Sequence, residues 1–223
     1  MEGIIIENIS NLYYVEIDNE IYECTARGKL KQEDGVVVGD RVQIQIIDKK
    51  NKKGVVEVLL PRVMYIKRPK IANLTQIIFV ISLKMPKPDL LLLDKQLAYA
   101  EYIKVNPVIC INKIDLQEKS KNQKSEIIQT YKNAGYNIIE TIAKDKKGIE
   151  ELKQVLENNI TAFSGNSGVG KSTLINAIFG KDVTTEGLIS QKIKRGKNTT
   201  TNIKLYKLQE NEYIADTPRL FCI

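Results

Sequence analysis

The sequence predicts an α/β protein, with a small all-β module at the N-terminus followed by a six-stranded, mostly parallel sheet that carries helices on both faces. Three observations support this. Apolar residues alternate or cluster in short β-branched runs up to Met64, and that rhythm breaks at Pro61 and again at Lys67-Arg68-Pro69-Lys70. From there on, apolar strands alternate with amphipathic helical stretches. At 223 residues the chain has room for one large domain or two smaller ones, and the change of rhythm places a boundary near residue 64, giving domains 1–64 and 65–223.

Within the first module, Tyr13-Tyr14-Val15-Glu16-Ile17, Val42-Gln43-Ile44-Gln45-Ile46 and Val55-Val56-Glu57-Val58 read as strands from their alternating or β-branched apolar runs. Turn signals at Asp18-Asn19, Arg27-Gly28, Asp34-Gly35, Gly39-Asp40 and 51–54 divide the segment into about five short strands. That spacing suits a small barrel, and it equally suits one half of a sandwich. In the second domain, strands are expected over 76–83, 107–111, 137–141, 160–164, 203–208 and 212–215, and helices over 90–104, 125–134, 149–158 and 171–179. Apolar strands separated by helices belong to a sheet covered on both faces.

Composition excludes several classes. With 43% hydrophobic and 27% charged residues the chain resembles soluble globular proteins, not disordered or collagen-like ones. No apolar run reaches the roughly 20 residues that cross a bilayer, and the N-terminus lacks a basic leader region, so a cytoplasmic protein with no membrane role is expected. Cys24, Cys110 and Cys222 are widely spaced and there is no histidine, which suggests neither a disulfide framework nor a zinc cluster. The net charge of +7 favours association with nucleic acid or other polyanions, although a lysine-rich solvated surface produces the same count.

The most specific motif is Gly165-Asn166-Ser167-Gly168-Val169-Gly170-Lys171-Ser172, set between a strand and a helix. Its glycines let successive backbone N–H groups point inward as a nest for phosphate oxygens, and the helix N-terminus adds partial positive charge behind them. Lys171 is placed to reach the β- and γ-phosphates, the Ser172 hydroxyl is a candidate Mg²⁺ ligand, and Thr173 follows in the same helical turn. The motif calls for a nucleoside triphosphate without choosing the base.

Asn112-Lys113-Ile114-Asp115 follows a buried strand, at the carboxyl end where ligands sit in open α/β sheets. A carboxylate at Asp115 accepts both the N1 and N2 protons of guanine, a donor pair adenine lacks, which argues against an ATPase. Asn112 would tie this loop to the phosphate loop, and the stem of Lys113 would cover the base. Further along, the Ala143 N–H could donate to guanine O6 and Lys144 could pack on the ring. GTP and GDP are therefore the expected ligands.

With both loops in view, the sequence resembles GTPases, and specifically the circularly permuted ribosome small-subunit-dependent GTPase A family (RsgA). The order of the motifs carries the likeness: Asn112 to Asp115, then Ile142-Ala143-Lys144, then the phosphate loop, then Thr199-Thr200-Thr201, then Asp216-Thr217-Pro218. Ordinary members of the superfamily place the phosphate loop first. At the N-terminus, Ala26-Arg27-Gly28-Lys29 and Val38-Gly39-Asp40-Arg41-Val42 look like this family's OB-fold. The resemblance implies an OB-fold that binds ribosomal RNA and a permuted domain that hydrolyses GTP. It further implies a role in late maturation of the small ribosomal subunit, whose rRNA and particle are the expected partners of a monomer.

It also implies a first switch over 194–200 with Thr200 contacting Mg²⁺ and γ-phosphate, and Asp216 holding Mg²⁺ through water, so that Ser172, Thr200 and Asp216 form the expected metal set and Lys171 joins them in catalysis. The sequence departs from the family at four points. Arg219 stands where the second switch has glycine, Asn198 where histidine is frequent, and Ile142 where serine is usual. The family's C-terminal zinc module has no counterpart in a chain without histidine, so zinc is not expected. These departures keep a second reading open, that of a truncated, hydrolysis-deficient protein that binds nucleotide and RNA.

Overall fold

Period-two patterning becomes barrel geometry at the N-terminus. Strands β1 (Glu2–Ile9), β2 (Leu12–Ile17) and β3 (Glu20–Ala26) form an antiparallel meander, and the β2–β3 hairpin turns through Asp18 and Asn19, both with positive φ. Strands β4 (Arg41–Asp48) and β5 (Lys53–Leu59) pair with each other. β5 then runs parallel to β3, and β4 returns to β1 and closes the ring in the order 1-2-3-5-4-1. A register shift in β1 between Ile5 and Glu7 adds the local bend that closure needs. Of the two arrangements that strand spacing left open, the barrel is the one observed. The computed structural model describes residues 1–31, 35–117, 121–181 and 203–216.

The Lys67-Arg68-Pro69-Lys70 stretch, expected only to break the pattern, is the turn of a short hairpin between β6 (Tyr65–Lys67) and β7 (Lys70–Ala72). This hairpin leans on the barrel through the Val38–Ile71 bridge and a bond from Asn73 Nδ2 to the Gly39 carbonyl at 2.9 Å. Beside it the fully buried Asp40 carboxylate accepts from Arg62 at 2.7 and 2.8 Å. A bidentate pair of this kind offsets the cost of burying the charge.

The second domain is built on β8 (Gln76–Ile81), β9 (Asn106–Asn112), β10 (Asn137–Thr141), β11 (Ile160–Ser164), β12 (Lys204–Gln209) and β13 (Glu212–Asp216). Their order is β10-β9-β8-β11-β13-β12, parallel throughout except for β12. Helices α1 (Leu90–Tyr102) and α2 (Lys121–Asn133) cover one face and bury Leu93, Leu97, Ile127 and Tyr131 in a core that continues into the barrel. Helices α3 (Ile149–Leu156) and α4 (Lys171–Phe179) cover the other face with Leu152, Leu156, Leu174 and Ile178. The six strands and the two helical layers thus match the sequence reading.

Nothing in the local patterning signals that the two sheets are continuous. β12 pairs with β1 at Glu7 and Lys204, so one 11-stranded sheet runs from barrel to second domain. The seam is ionic: Lys204 Nζ donates to Glu7 at 2.6 Å, and Lys207 Nζ donates to Glu16 at 2.7 Å and to Asn19 Oδ1 at 2.8 Å. The Tyr213 hydroxyl donates to the second oxygen of the buried Glu16. Burial alone would raise the Glu16 carboxyl, but the donors Lys207, Tyr213 and the Asn19 N–H outweigh it and hold the group below its usual value.

A carboxylate with a depressed folded-state pKa contributes stability that is present above its unfolded pKa and is lost as the pH falls through the folded one. Thermal melts followed by circular dichroism from pH 7 downward test this. Glu16→Gln is expected to be less stable than the parent at pH 7 by about 1–3 kcal/mol. It should also show a shallower loss below the ordinary glutamate value of 4.5. Equal stability of the two proteins at pH 7 would contradict the assignment.

Candidate functional site

β11 ends at Ser164 and α4 begins at Lys171, so the Gly165–Gly170 connection stands at the carboxyl edge of the sheet, where the chain has crossed over β8. Val169 is buried in the core beneath the loop, whereas Asn166, Ser167 and Gly168 are exposed above it. Gly170 has φ +97°, and a Cβ there would stand 2.4 Å from Asn112 Nδ2. No other residue type fits that approach between the two loops. Lys171 folds back over its own loop and donates to the carbonyls of Gly165 at 2.6 Å and Asn166 at 3.1 Å. Burial lowers its pKa from the ordinary lysine value, and an anionic phosphate oxygen would offset that penalty with a full charge.

Asn112 closes β9 and is buried, and its carboxamide makes three hydrogen bonds, to the phosphate loop and to the segment that ends β10. Nδ2 donates to the Val169 carbonyl at 2.9 Å, while Oδ1 accepts from Thr141 Oγ1 at 3.0 Å and from the Ala143 N–H at 3.2 Å. The Ala143 N–H, expected to face guanine O6, is thus directed to Asn112. Lys113, with φ +61°, donates from Nζ to the Gly168 carbonyl at 2.5 Å and to the Met85 carbonyl at 3.2 Å. Asp115 lies exposed in the 3₁₀ turn Ile114–Gln117, and Lys144 lies exposed in the turn Ala143–Asp145.

Ser172 and Thr173 occupy the exposed first turn of α4. Asp216 ends β13, where its neighbour Ala215 stands opposite Ala162 of β11, so its carboxylate belongs to the same edge of the sheet. A serine hydroxyl and an aspartate are hard oxygen donors of the kind Mg²⁺ selects, so the two fit that ion. Among the described residues there is no group of three or more His, Cys, Asp or Glu placed to hold a metal. Thr200, the rest of the first-switch stretch 194–200, Thr201, and Thr217, Pro218 and Arg219 lie outside the described residues.

Two family models cover most of the chain: the RsgA N-terminal domain matches residues 2–56 and the RsgA GTPase matches residues 59–220. The chain belongs to the RsgA family. Proteins named small ribosomal subunit biogenesis GTPase RsgA from Clostridium acetobutylicum and Alkaliphilus metalliredigens are 44% and 41% identical to it. These alignments cover 98% and 97% of this chain and 74% of each relative. The crystal structure of YjeQ from Thermotoga maritima matches with a TM-score of 0.80 at 34% identity, over 97% of this chain and 74% of that one. The structure of YloQ, described as a circularly permuted GTPase, matches with a TM-score of 0.74 at 28% identity, over 97% and 70%. The family and the permuted fold agree with the resemblance read from motif order.

Thr141 was not singled out from the sequence, yet it holds the oxygen side of the Asn112 amide. The available signal was weak, namely a hydroxyl residue ending a strand one ladder away from the Asn-Lys-x-Asp loop. Thr141→Val keeps the shape and removes one of the two donors to Asn112 Oδ1. Titration with a fluorescent guanine nucleotide should show affinity weakened about threefold to tenfold. Unchanged affinity would remove Thr141 from the site.

Proposed function

We propose that this chain binds GTP and hydrolyses it to GDP and phosphate during late maturation of the small ribosomal subunit, in the cytoplasm and as a monomer. The observation that carries the proposal is the Asn112 carboxamide, which locks an Asn-Lys-x-Asp loop to a phosphate loop that follows it in sequence. In this reading residues 1–64 form the RNA-binding unit and 65–223 the nucleotide unit.

Each residue has a role the chemistry requires. Asp115 accepts from guanine N1 and N2, the Lys113 stem covers one face of the base, and Lys144 packs on the ring beside Ala143. The nest formed by Gly165, Asn166, Ser167, Gly168, Val169 and Gly170 directs N–H groups at the phosphates, while Lys171 draws charge off the β- and γ-oxygens. Ser172, Thr200 and Asp216 would hold Mg²⁺, which supplies further charge neutralisation at the phosphates, and Thr173 extends the loop's contacts. No covalent intermediate is needed, since hydrolysis of this kind relies on positioning and charge stabilisation. On the barrel, the exposed β4–β5 turn with Lys49, Lys50, Lys52 and Lys53 supports contact with an RNA backbone. Zinc has no part in this proposal.

A second reading, binding without turnover, is favoured by Arg219 at the place of the family's second-switch glycine. Two experiments separate these possibilities. Asp115→Asn offers an amide in place of the carboxylate and is expected to shift preference from GDP to xanthosine diphosphate in competition titrations; undiminished preference for GDP would refute the base assignment. Turnover of GTP measured with and without purified small ribosomal subunits is expected to rise when subunits are added. Tight binding without turnover in either condition would establish the second reading.

A further inference from the structure

A third segment walls the nucleotide site besides the two signature loops. Residues 82–88 leave β8 beside the phosphate loop, because Ser164 and Phe79 are paired across the β8–β11 ladder. The segment touches both loops. The Met85 carbonyl accepts from Lys113 Nζ at 3.2 Å, the ammonium that also donates to Gly168 at 2.5 Å. Pro86 Cδ lies 4.0 Å from the point where a Cβ on Gly168 would stand.

The buried Ser82 hydroxyl fixes this turn, since its oxygen accepts from the Met85 N–H at 3.2 Å. The longer approach of the Lys84 N–H, 3.5 Å, adds little. One peptide unit on, the carbonyl of that same Met85 receives Lys113. We infer that Ser82 is a positioning residue for nucleotide binding. It sets the Met85 carbonyl, the carbonyl anchors the Lys113 ammonium, and the anchored lysine presents its aliphatic stem where the base stacks. Lys113 sits at positive φ, a conformation its side chain disfavours, so an anchor that holds it in the binding-competent arrangement removes an ordering cost from association.

The inference rests on the guanine-nucleotide reading above, and the test keeps the two apart. Dissociation of a fluorescent GDP, measured by stopped flow, is expected to accelerate about threefold to tenfold in Ser82→Ala. Ser82→Thr, which retains the hydroxyl, should restore the parental rate, and Ser82→Cys, a weaker acceptor of near-equal shape, should fall between. Lys113→Met keeps the stem and removes the ammonium, so Ser82→Ala added to it is expected to change nothing further. A parental dissociation rate in Ser82→Ala, or an undiminished effect in the Lys113→Met background, would overturn the inference. Discrimination of GDP from ADP by the parent chain is measured alongside, by competition of each unlabelled nucleotide against the fluorescent GDP. Its loss sinks the base assignment, which is a different outcome from an unmoved rate in Ser82→Ala.

Discussion

The candidate nucleotide site depends on one buried carboxamide. Asn112 is 2% exposed, so its donors and acceptors must be met within the protein. Its Nδ2 faces the Val169 carbonyl and its Oδ1 faces the Thr141 hydroxyl and the Ala143 N–H, an arrangement that fixes the amide's orientation, because a flipped amide would oppose like to like on both sides. One side chain thereby sets the spacing among the loops that follow β9, β10 and β11. Gly170 is the other half of that constraint, since the room Asn112 occupies exists only where there is no Cβ. None of these bonds depends on the order in which the chain visits the strands. β9 and β10 are direct neighbours, β8 alone separates β9 from β11, and a permuted connectivity that keeps this adjacency keeps the site.

A second constraint joins the site to the barrel. The buried Glu16 of β2 is met by Lys207 of β12 and Tyr213 of β13, and the hairpin formed by those two strands ends at Asp216. Buried ion pairs return little net stability after desolvation, and their better-attested use is to specify one arrangement over its competitors. An apolar seam would permit β1 to slide along β12. Three carboxylate contacts, from Lys204, Lys207 and Tyr213, admit a single register, with Glu7 opposite Lys204. A candidate RNA-contact surface on the barrel and a candidate metal ligand on the hairpin are therefore parts of one sheet.

The sequence made legible whatever is written in local patterns. Alternation in 42–46 and 55–58 announced strands β4 and β5, the glycine spacing of 165–170 announced a phosphate-binding turn, and the apolar run ending in Asn112 placed the base-side loop at a strand's carboxyl end. What stayed hidden was carried by single polar residues whose partners lie far away in sequence. Glu16 and Lys207 each read as an ordinary surface charge until the fold puts them 2.7 Å apart. Ser82 and Thr141 likewise belong to no motif, since each acts through a residue that does. The β6–β7 hairpin was missed because Pro69 signals a break, and a three-residue strand is too short to show a period.

The contacts around the site also bear on why it should prefer a polyphosphate. The charged donors are already engaged: Lys171 on the Gly165 and Asn166 carbonyls, Lys113 on those of Gly168 and Met85. Binding is therefore an exchange, and a neutral ligand that only replaced one carbonyl with another would gain little. A phosphate gains on two counts. It converts neutral acceptors into charged ones at Lys171, roughly doubling the strength of each bond, and it relieves the desolvation that depresses that lysine. Lys113 would gain nothing comparable by leaving its carbonyls, so in the proposed complex it would stay with them and hold the base-side loop while Lys171 turned to the ligand. The two lysines start in similar states, and under the proposed function the difference in what a nucleotide would offer each of them would make one a mobile charge and the other a fixed brace.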